Sequence, residues 1–178
     1  QITWQPTKSY LQDDWEIFIR SSERSAWGIN IDHIVSTDCD RNGKVPVTCD
    51  KPLKIDGQIA TEGMSVQAGQ IIGYVGNWPD YNDTGINGRT ELTVYKYIFK
   101  DHMPGSNRFL GVMNYCPTMH LAKEVESDLK ATVTELMRSY EAWSGNSSIY
   151  AQEKMVAPGC LYRAIKEIDG KTEPIRGD

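Results

Sequence analysis

The stretch Gly63-Met-Ser-Val-Gln-Ala-Gly-Gln-Ile-Ile-Gly-Tyr-Val-Gly76 decides the fold of this chain. Its four glycines separate two short apolar segments. Gly63 and Gly69 suit tight turns, because a glycine has no Cβ to obstruct a left-handed backbone. Val66 and Ile71 are expected to fill the interior between those turns. The stretch therefore predicts short strands that fold around a small barrel.

The sequence on either side of this stretch predicts more short strands between turns. The strands are expected at Trp15–Arg20, Trp27–Ile34, Leu53–Asp56, Gln70–Val75 and Thr90–Phe99. In the last of them Leu92 and Val94 are expected to face a core, while Glu91 and Lys96 face outward. Residues 77–88 are rich in turn formers and predict a long loop.

The pattern changes after Pro117, where one long helix is predicted. Residues 118–143 contain no Gly or Pro, and their apolar side chains recur at spacings of three and four. These side chains are Leu121, Val125, Leu129, Val133, Leu136 and Tyr140. Gly145 ends the predicted helix. The fold class is therefore mainly β: a small barrel-sandwich over residues 1–116, and a C-terminal amphipathic helix in an extension, 117–178, packed on it. The tail, 169–178, is expected to be frayed.

Composition bounds the classes of function. The chain has 178 residues and is 39% hydrophobic, enough for a packed core. A net charge of -5 argues against nucleic acid, whose phosphates attract basic surfaces. No apolar run is long enough to span a membrane, and no signal peptide is recognisable. Because the chain begins at Gln1, we expect a processed or excised product.

Cysteines and glycosylation sequons favour an extracellular location. The cysteines are Cys39, Cys49, Cys116 and Cys160, and their even number allows three disulfide pairings. The pairing Cys39–Cys49 with Cys116–Cys160 is preferred, against the alternative of four free thiols. Asn82 and Asn146 each begin a sequon. Together these features predict a secreted protein in an oxidising compartment.

The glycine-rich stretch resembles the barrel-sandwich strands that lipoyl and biotinyl carriers share with LytM/lysostaphin-type zinc peptidases. A carrier needs a lysine on an exposed hairpin, and no lysine lies between Lys54 and Lys96. The peptidase resemblance extends further, over about residues 10–121. Ile31-Asp-His-Ile34 resembles the family's Tyr-x-His-Leu strand, which places His33 at the family's catalytic histidine. Residues 88–95 match the strand that carries the family's His-x-His pair.

Departures from the family pattern bear on zinc. The family binds zinc through two histidines and an aspartate around an open position. In this chain Glu91 and Thr93 stand at the His-x-His pair. The family's upstream His-x-x-x-Asp motif either lies before Gln1 or matches Ala26-Trp-Gly-Ile-Asn30, without metal-binding histidines in either register. A zinc cofactor is therefore not expected, and His33 is the only residual catalytic candidate, against the alternative of a structural histidine.

An acidic loop predicts a different metal. Asp38-Cys-Asp-Arg-Asn-Gly-Lys-Val45 has the alternating oxygen ligands and the sixth-position glycine of a calcium loop. The ligands would be Asp38, Asp40, Asn42 and the carbonyl of Lys44. The twelfth position is a cysteine, so the loop is not an EF-hand. The alternative is a polar turn inside a disulfide loop.

Three residues are candidates for ligand binding near the family's substrate groove. Trp78 and Tyr81 lie in the predicted loop, and Glu91 lies on the following strand. Aromatic faces and a carboxylate in a groove suit sugars or peptides. The alternative is that the two rings pack against the core or cover loop backbone.

Three hypotheses for the function follow. The first is a secreted non-catalytic structural or binding module on a degenerate peptidase scaffold, in an extracellular surface, matrix or filament. Its partners would be glycan, peptide or like subunits, which allows a homo-oligomer. The second is a zinc metallo-endopeptidase whose missing ligands lie outside this chain. The third is another enzyme class that uses His33 with Asp32 or Glu91.

Overall fold

The fold is known from a computed structural model that describes most of the chain. It describes residues 1–8, 15–39, 51–79, 86–99, 109–150, 164–168 and 171–175. The strands are β1 (Thr7–Lys8), β2 (Trp15–Arg20), β3 (Trp27–Val35), β4 (Lys54–Ile55), β5 (Gln58–Ile59), β6 (Tyr74–Pro79), β7 (Ile86–Arg89), β8 (Glu91–Phe99), β9 (Phe109–Tyr115), β10 (Ala164–Ile168) and β11 (Lys171–Ile175). The described residues include one α-helix, α1, which spans Glu126–Ser144. The protein is mainly β, as the sequence predicted.

The described residues form two compact units, the first ending at Thr93 and the second starting at Val94, within β8. The sequence placed a boundary at residue 117 instead. Residue 117 lies inside the second unit, because β9, which precedes it in the chain, pairs with β10, which follows it. The predicted C-terminal helix is therefore followed by two strands. One of them, β11, occupies 171–175, where a frayed tail was expected.

The first unit is built around the antiparallel pair β2 and β3. Strand β1 pairs with the outer side of β2, and β6 pairs with the end of β3. Strand β4 and strand β5 form a separate hairpin, closed by Asp56 and Gly57. Both turn residues have positive φ, 50° and 78°, as a two-residue hairpin turn of type I′ requires. Among the described residues the strands form open sheets, so the predicted barrel closure is not observed.

A β-bulge in β3 sets the core face of this unit. Two residues of β3, Asp32 and His33, stand opposite the single residue Glu16 of β2. The extra residue shifts the alternation of β3 by one position. Ile31 and Ile34 therefore both contact the core, although an odd number of positions separates them.

The core of the first unit is aliphatic and includes part of the glycine-rich stretch. Its buried members are Ile2, Ile17, Ile34, Leu53, Ile55 and Ala60. Met64, Val66 and Ile72 of the stretch pack against this cluster. Ile71 does not: it is 58% exposed, so its predicted interior position is wrong. Ile72, one residue later, points inward instead, since neighbouring side chains in extended chain face opposite sides.

The glycines of the stretch serve two different purposes. Gly63 and Gly69 have φ of 87° and 82°, which confirms the predicted turns. Gly73 and Gly76 instead allow close contact with β3. A Cβ at Gly73 would lie 3.0 Å from the carbonyl oxygen of Val35. At Gly76 the distance to the carbonyl oxygen of His33 would be 2.6 Å.

Both described ends of the predicted loop at 77–88 are strands that pair with each other. Strand β6 continues to Pro79, and β7 pairs with it from Ile86 to Arg89. The prediction was wrong here because Asn, Gly and Pro favour turns locally, whereas pairing with β7 keeps them extended in β6. Residues 80–85, between the two strands, lie outside the described residues.

The second unit is an antiparallel sheet in the order β8, β9, β10, β11. The buried side chain of β8 is Tyr95, whose ring lies 5.0 Å from that of Tyr97. Leu92 is 47% exposed, so the predicted inward face of β8 is wrong. Alternation alone does not identify the core face when aromatic and aliphatic residues occupy opposite sides of a strand.

The helix begins later than predicted. Residues 117–119 form one 3-10 turn, and α1 starts at Glu126 rather than at residue 118. The rings of Tyr115 and His120, on either side of the 3-10 turn, lie 5.3 Å apart. The predicted end is confirmed, because Gly145 adopts φ 67° and closes the helix.

The predicted apolar stripe is not the buried face of α1. Leu129 and Leu136 are 42% and 64% exposed, whereas Met137 and Glu141 are buried.

Glu141 Oε1 accepts the backbone N–H of Tyr150 at 3.0 Å. Burial raises the pKa of Tyr150 above its ordinary value, and the nearby Tyr140 and Glu141 add to this rise.

No helix among the described residues is long and apolar enough to cross a membrane.

Candidate functional site

The first candidate site is the bulge of β3, where His33 has an uncommon backbone conformation. Its φ is 59°, in the left-handed region, which costs an L-residue about 1–2 kcal/mol. Histidine, asparagine and aspartate enter this region more often than other side chains. The His33 backbone N–H donates to Oδ1 of Asp32 at 2.8 Å, which holds the bulge in place. Strained residues of this kind occur preferentially at functional sites.

Two carboxylates lie next to the His33 side chain. Nε2 of His33 is 3.7 Å from Oδ2 of Asp32 and 3.9 Å from Oε1 of Glu91. The imidazole is only 8% exposed, whereas the Glu91 side chain is 44% exposed. Both separations exceed a hydrogen-bond distance. The structure thus brings together the three residues of the third hypothesis.

Two further residues fix this Asp32–His33–Glu91 cluster. The Thr90 hydroxyl donates to the Asp32 carbonyl at 2.9 Å and ties the start of β8 to the bulge. Gly76 lies against the His33 carbonyl, where a larger residue would collide. Neither Thr90 nor Gly76 was predicted from the sequence to belong to a site. Gly76 belongs to the quoted stretch, but a glycine for close contact cannot be told from a glycine for a turn by sequence alone.

The residues at the cluster do not fit the zinc site of the resembled peptidases. Glu91 stands where a histidine ligand is needed, and its carboxylate lies beside His33. In the other register the aspartate position is Asn30, whose Nδ2 donates to Oε1 of Glu16 at 2.9 Å. Within the described part of the chain, no group of three or more His, Cys, Asp or Glu residues could hold a metal ion. We therefore derive no zinc chemistry from this cluster.

The predicted calcium loop is described only at its first ligand, Asp38. Oδ2 of Asp38 lies 2.6 Å from Nζ of Lys54, and its carbonyl accepts Nζ of Lys51 at 2.7 Å. The hydrogen bond from Lys54 is the largest effect and lowers the pKa of Asp38. Desolvation opposes it, and the charges of Lys54 and Lys51 lower the pKa further. A calcium ion at this carboxylate would compete with Lys54 for Oδ2. Asp40, Asn42 and Lys44 lie outside the described residues.

The described cysteines are both buried and disulfide-bonded. They are Cys39 in the first unit and Cys116 in the second. Cys49 and Cys160 lie outside the described residues, so the predicted pairing stays a prediction. The Thr118 hydroxyl lies 2.9 Å from Sγ of Cys116, at the start of the 3-10 turn.

The remaining predicted residues lie partly outside the described chain. Trp78 is on β6, where its backbone pairs with Asn87, but its side chain is outside the description. Tyr81 and Asn82 are also outside. Asn146, the other sequon asparagine, is exposed just after α1. A groove that joins Trp78, Tyr81 and Glu91 therefore stays a prediction.

No protein-family description, curated protein or solved structure matches this chain.

Proposed function

We propose that this chain is a secreted, non-catalytic structural or binding module on a degenerate LytM/lysostaphin-type scaffold. It acts in an extracellular surface, matrix or filament, with glycan, peptide or like subunits as partners. The observation that supports the proposal most is the position of Glu91. This carboxylate replaces a histidine ligand of the resembled site and lies 3.9 Å from His33 Nε2. An imidazole next to two carboxylates forms a charge cluster in place of a two-histidine zinc site.

The proposal is tested by the metal content of the purified chain, measured by elemental mass spectrometry before and after chelation. We expect no stoichiometric zinc and no cleavage of a pentaglycine peptide when zinc is added. Stoichiometric zinc with cleavage would overturn the proposal in favour of a metallo-endopeptidase that is completed by ligands outside this chain. Calcium without zinc would support the predicted loop at Asp38 and leave the module non-catalytic.

Binding is tested on the same metal-free protein. Sedimentation velocity measures self-association, and isothermal titration measures binding of N-acetylglucosamine oligomers and of pentaglycine. Glu91→Gln keeps the size of the side chain and removes its charge, whereas Glu62→Gln removes an exposed charge elsewhere in the same unit. We expect Glu91→Gln to weaken self-association or ligand binding, and Glu62→Gln to leave both unchanged. Equal affinities for both variants would place the binding surface away from the cluster.

The strained histidine favours one second candidate function, acid–base catalysis. A buried imidazole beside two carboxylates is the residue pattern of a general base, and backbone strain at His33 is consistent with a functional constraint. In this reading His33 accepts the proton and the carboxylates stabilise the resulting imidazolium. The test is hydrolysis of a p-nitrophenyl ester: activity that His33→Asn abolishes while Glu62→Gln preserves it would favour the enzyme. Asparagine also tolerates left-handed φ, so His33→Asn should keep the backbone conformation of the bulge.

A further inference from the structure

The C-terminal end of α1 presents one surface asparagine on a well-defined backbone. Gly145 donates to the Ala142 carbonyl, and the backbone N–H of Asn146 donates to the Glu141 carbonyl at 3.2 Å. These two bonds form the Schellman closure of the helix. The Asn146 N–H also lies 3.3 Å from the Ser144 hydroxyl oxygen. The backbone of Asn146 is therefore fixed while the residue itself is exposed.

The side chain of Asn146 has a defined orientation. Its Oδ1 accepts the hydroxyl of Ser148 at 2.7 Å and the backbone N–H of Ser148 at 3.0 Å. Both bonds engage the amide oxygen, and no described residue accepts a hydrogen bond from Nδ2. Because the amide oxygen and nitrogen diverge from the same carbon, the two bonds to Oδ1 leave Nδ2 directed away from Ser148.

The residues around this amide satisfy the rule for N-linked glycosylation. The acceptor motif is Asn, any residue except Pro, then Ser or Thr. Here Asn146 is followed by Ser147 and Ser148, so the hydroxyl that contacts the amide is the one that the motif requires. The site lies on the surface next to a helix end, and a bulky glycan there displaces no core residue.

We propose that Asn146 carries an N-linked oligosaccharide. Nδ2 attacks the anomeric carbon of a sugar held on a lipid pyrophosphate. A C–N bond forms, the C–O bond to the phosphate breaks, and the lipid pyrophosphate leaves with the electron pair. Nδ2 gives up one proton to a base of the transferring enzyme. No electrons are exchanged, and the lipid-linked sugar is the only co-reactant.

An exposed aromatic pair lies on the last turns of α1, three and six residues before Asn146. Tyr140 and Trp143 are 42% and 63% exposed, and their ring centroids are 5.7 Å apart. The apolar faces of sugars pack on aromatic rings, so the glycan would shield this pair from water.

The test uses the full chain, secreted behind a signal peptide from a eukaryotic cell line. This proposal rests on the extracellular location in the proposed function. Its test measures the mass of the protein, so the result does not depend on whether the protein binds a partner. Intact mass is recorded before and after peptide N-glycosidase, and the enzyme is used in ¹⁸O water so that a deglycosylated Asn146 is labelled. We expect the label in the peptide that contains Asn146. An unmodified Asn146 in the secreted chain would overturn the proposal.

Neighbouring serines supply matched variants. Ser148→Ala should abolish the label at Asn146, Ser148→Thr should keep it, and Ser147→Ala should keep it, because only the third position of the motif needs a hydroxyl. Loss of the label in Ser147→Ala, or its retention in Ser148→Ala, contradicts the assignment. Circular dichroism of the secreted variants checks that α1 is intact.

Discussion

At the residue scale, Gly76 is required because there is no room for a side chain, and not because its backbone has a positive φ. We expect Gly76→Ala to lower the free energy of unfolding by about 1–3 kcal/mol, because its Cβ would overlap the His33 carbonyl and force β3 and β6 apart. Urea denaturation measures the change. Ser65→Ala, on the exposed side of the same stretch, is the control and should change stability by less than about 0.5 kcal/mol. Equal effects of the two substitutions would mean that the close contact is absent in solution.

Asp38 gives a prediction about pH at the same scale. Its pKa is lower in the folded chain than its ordinary value of 3.8, because Lys54 hydrogen-bonds the charged form. The pair therefore stabilises the fold above about pH 3.8, and this contribution is lost as the pH falls through the lower folded pKa. Asp38→Asn should be less stable than the parent at pH 7, and the difference should shrink below pH 4.

The measurement for Asp38 is the urea midpoint as a function of pH. Lys54→Met should show the same loss at pH 7, and combining it with Asp38→Asn should add little, because both variants break one interaction. Glu62→Gln is the control for removing an exposed carboxylate. A stability difference that persists unchanged at pH 3 would argue that Asp38 acts through something other than its charge.

At the scale of elements, the β4–β5 hairpin depends on its turn residues. Gly57 has φ 78°, and a Cβ there would meet nothing within 4 Å. We therefore expect Gly57→Ala to destabilise the first unit by about 1–2 kcal/mol through backbone strain alone. Gly57→Asn should cost less, since asparagine tolerates left-handed φ. Thermal unfolding of both variants distinguishes this strain from the steric effect at Gly76, and equal stability of Gly57→Ala and the parent would contradict the turn.

The elements also show where local pattern predicts well and where it fails. The strands β2 and β3 were predicted within one residue, because branched and aromatic side chains between turn formers specify extended chain locally. The hairpin of β6 and β7 was missed, because its Asn and Gly residues are extended only through cross-strand pairing. The alternation of side chains also could not predict which face of β3 packs in the core. A bulge at Asp32 and His33 shifts the alternation, and a bulge has no reliable sequence signal.

At the scale of the whole molecule, each compact unit contains one disulfide-bonded cysteine of the described residues. Peptide mapping without reduction should recover Cys39 linked to Cys49, and Cys116 linked to Cys160. Reduction should lower the free energy of unfolding by about 2–5 kcal/mol, since a crosslink limits the unfolded chain. The pairing would be refuted by a peptide that links Cys39 to Cys116. Four free thiols in the native protein would contradict the bonded state itself.

The sequence by itself determined the mainly β class, the positions of β2, β3 and β8, the turns at Gly63 and Gly69, and the end of the helix at Gly145. Each of these follows from local backbone preference or from side-chain alternation. The sequence did not predict β9, and the strand expected at Gln70–Val75 begins only at Tyr74. It also supplied His33 and Glu91 as separate candidates. Only the tertiary structure decided that they meet, that Asp32 and His33 form a bulge, and that Asp38 is bonded by Lys54. These features arise from contacts between segments distant in the chain, and the free energy of such contacts depends on the packing of the whole unit.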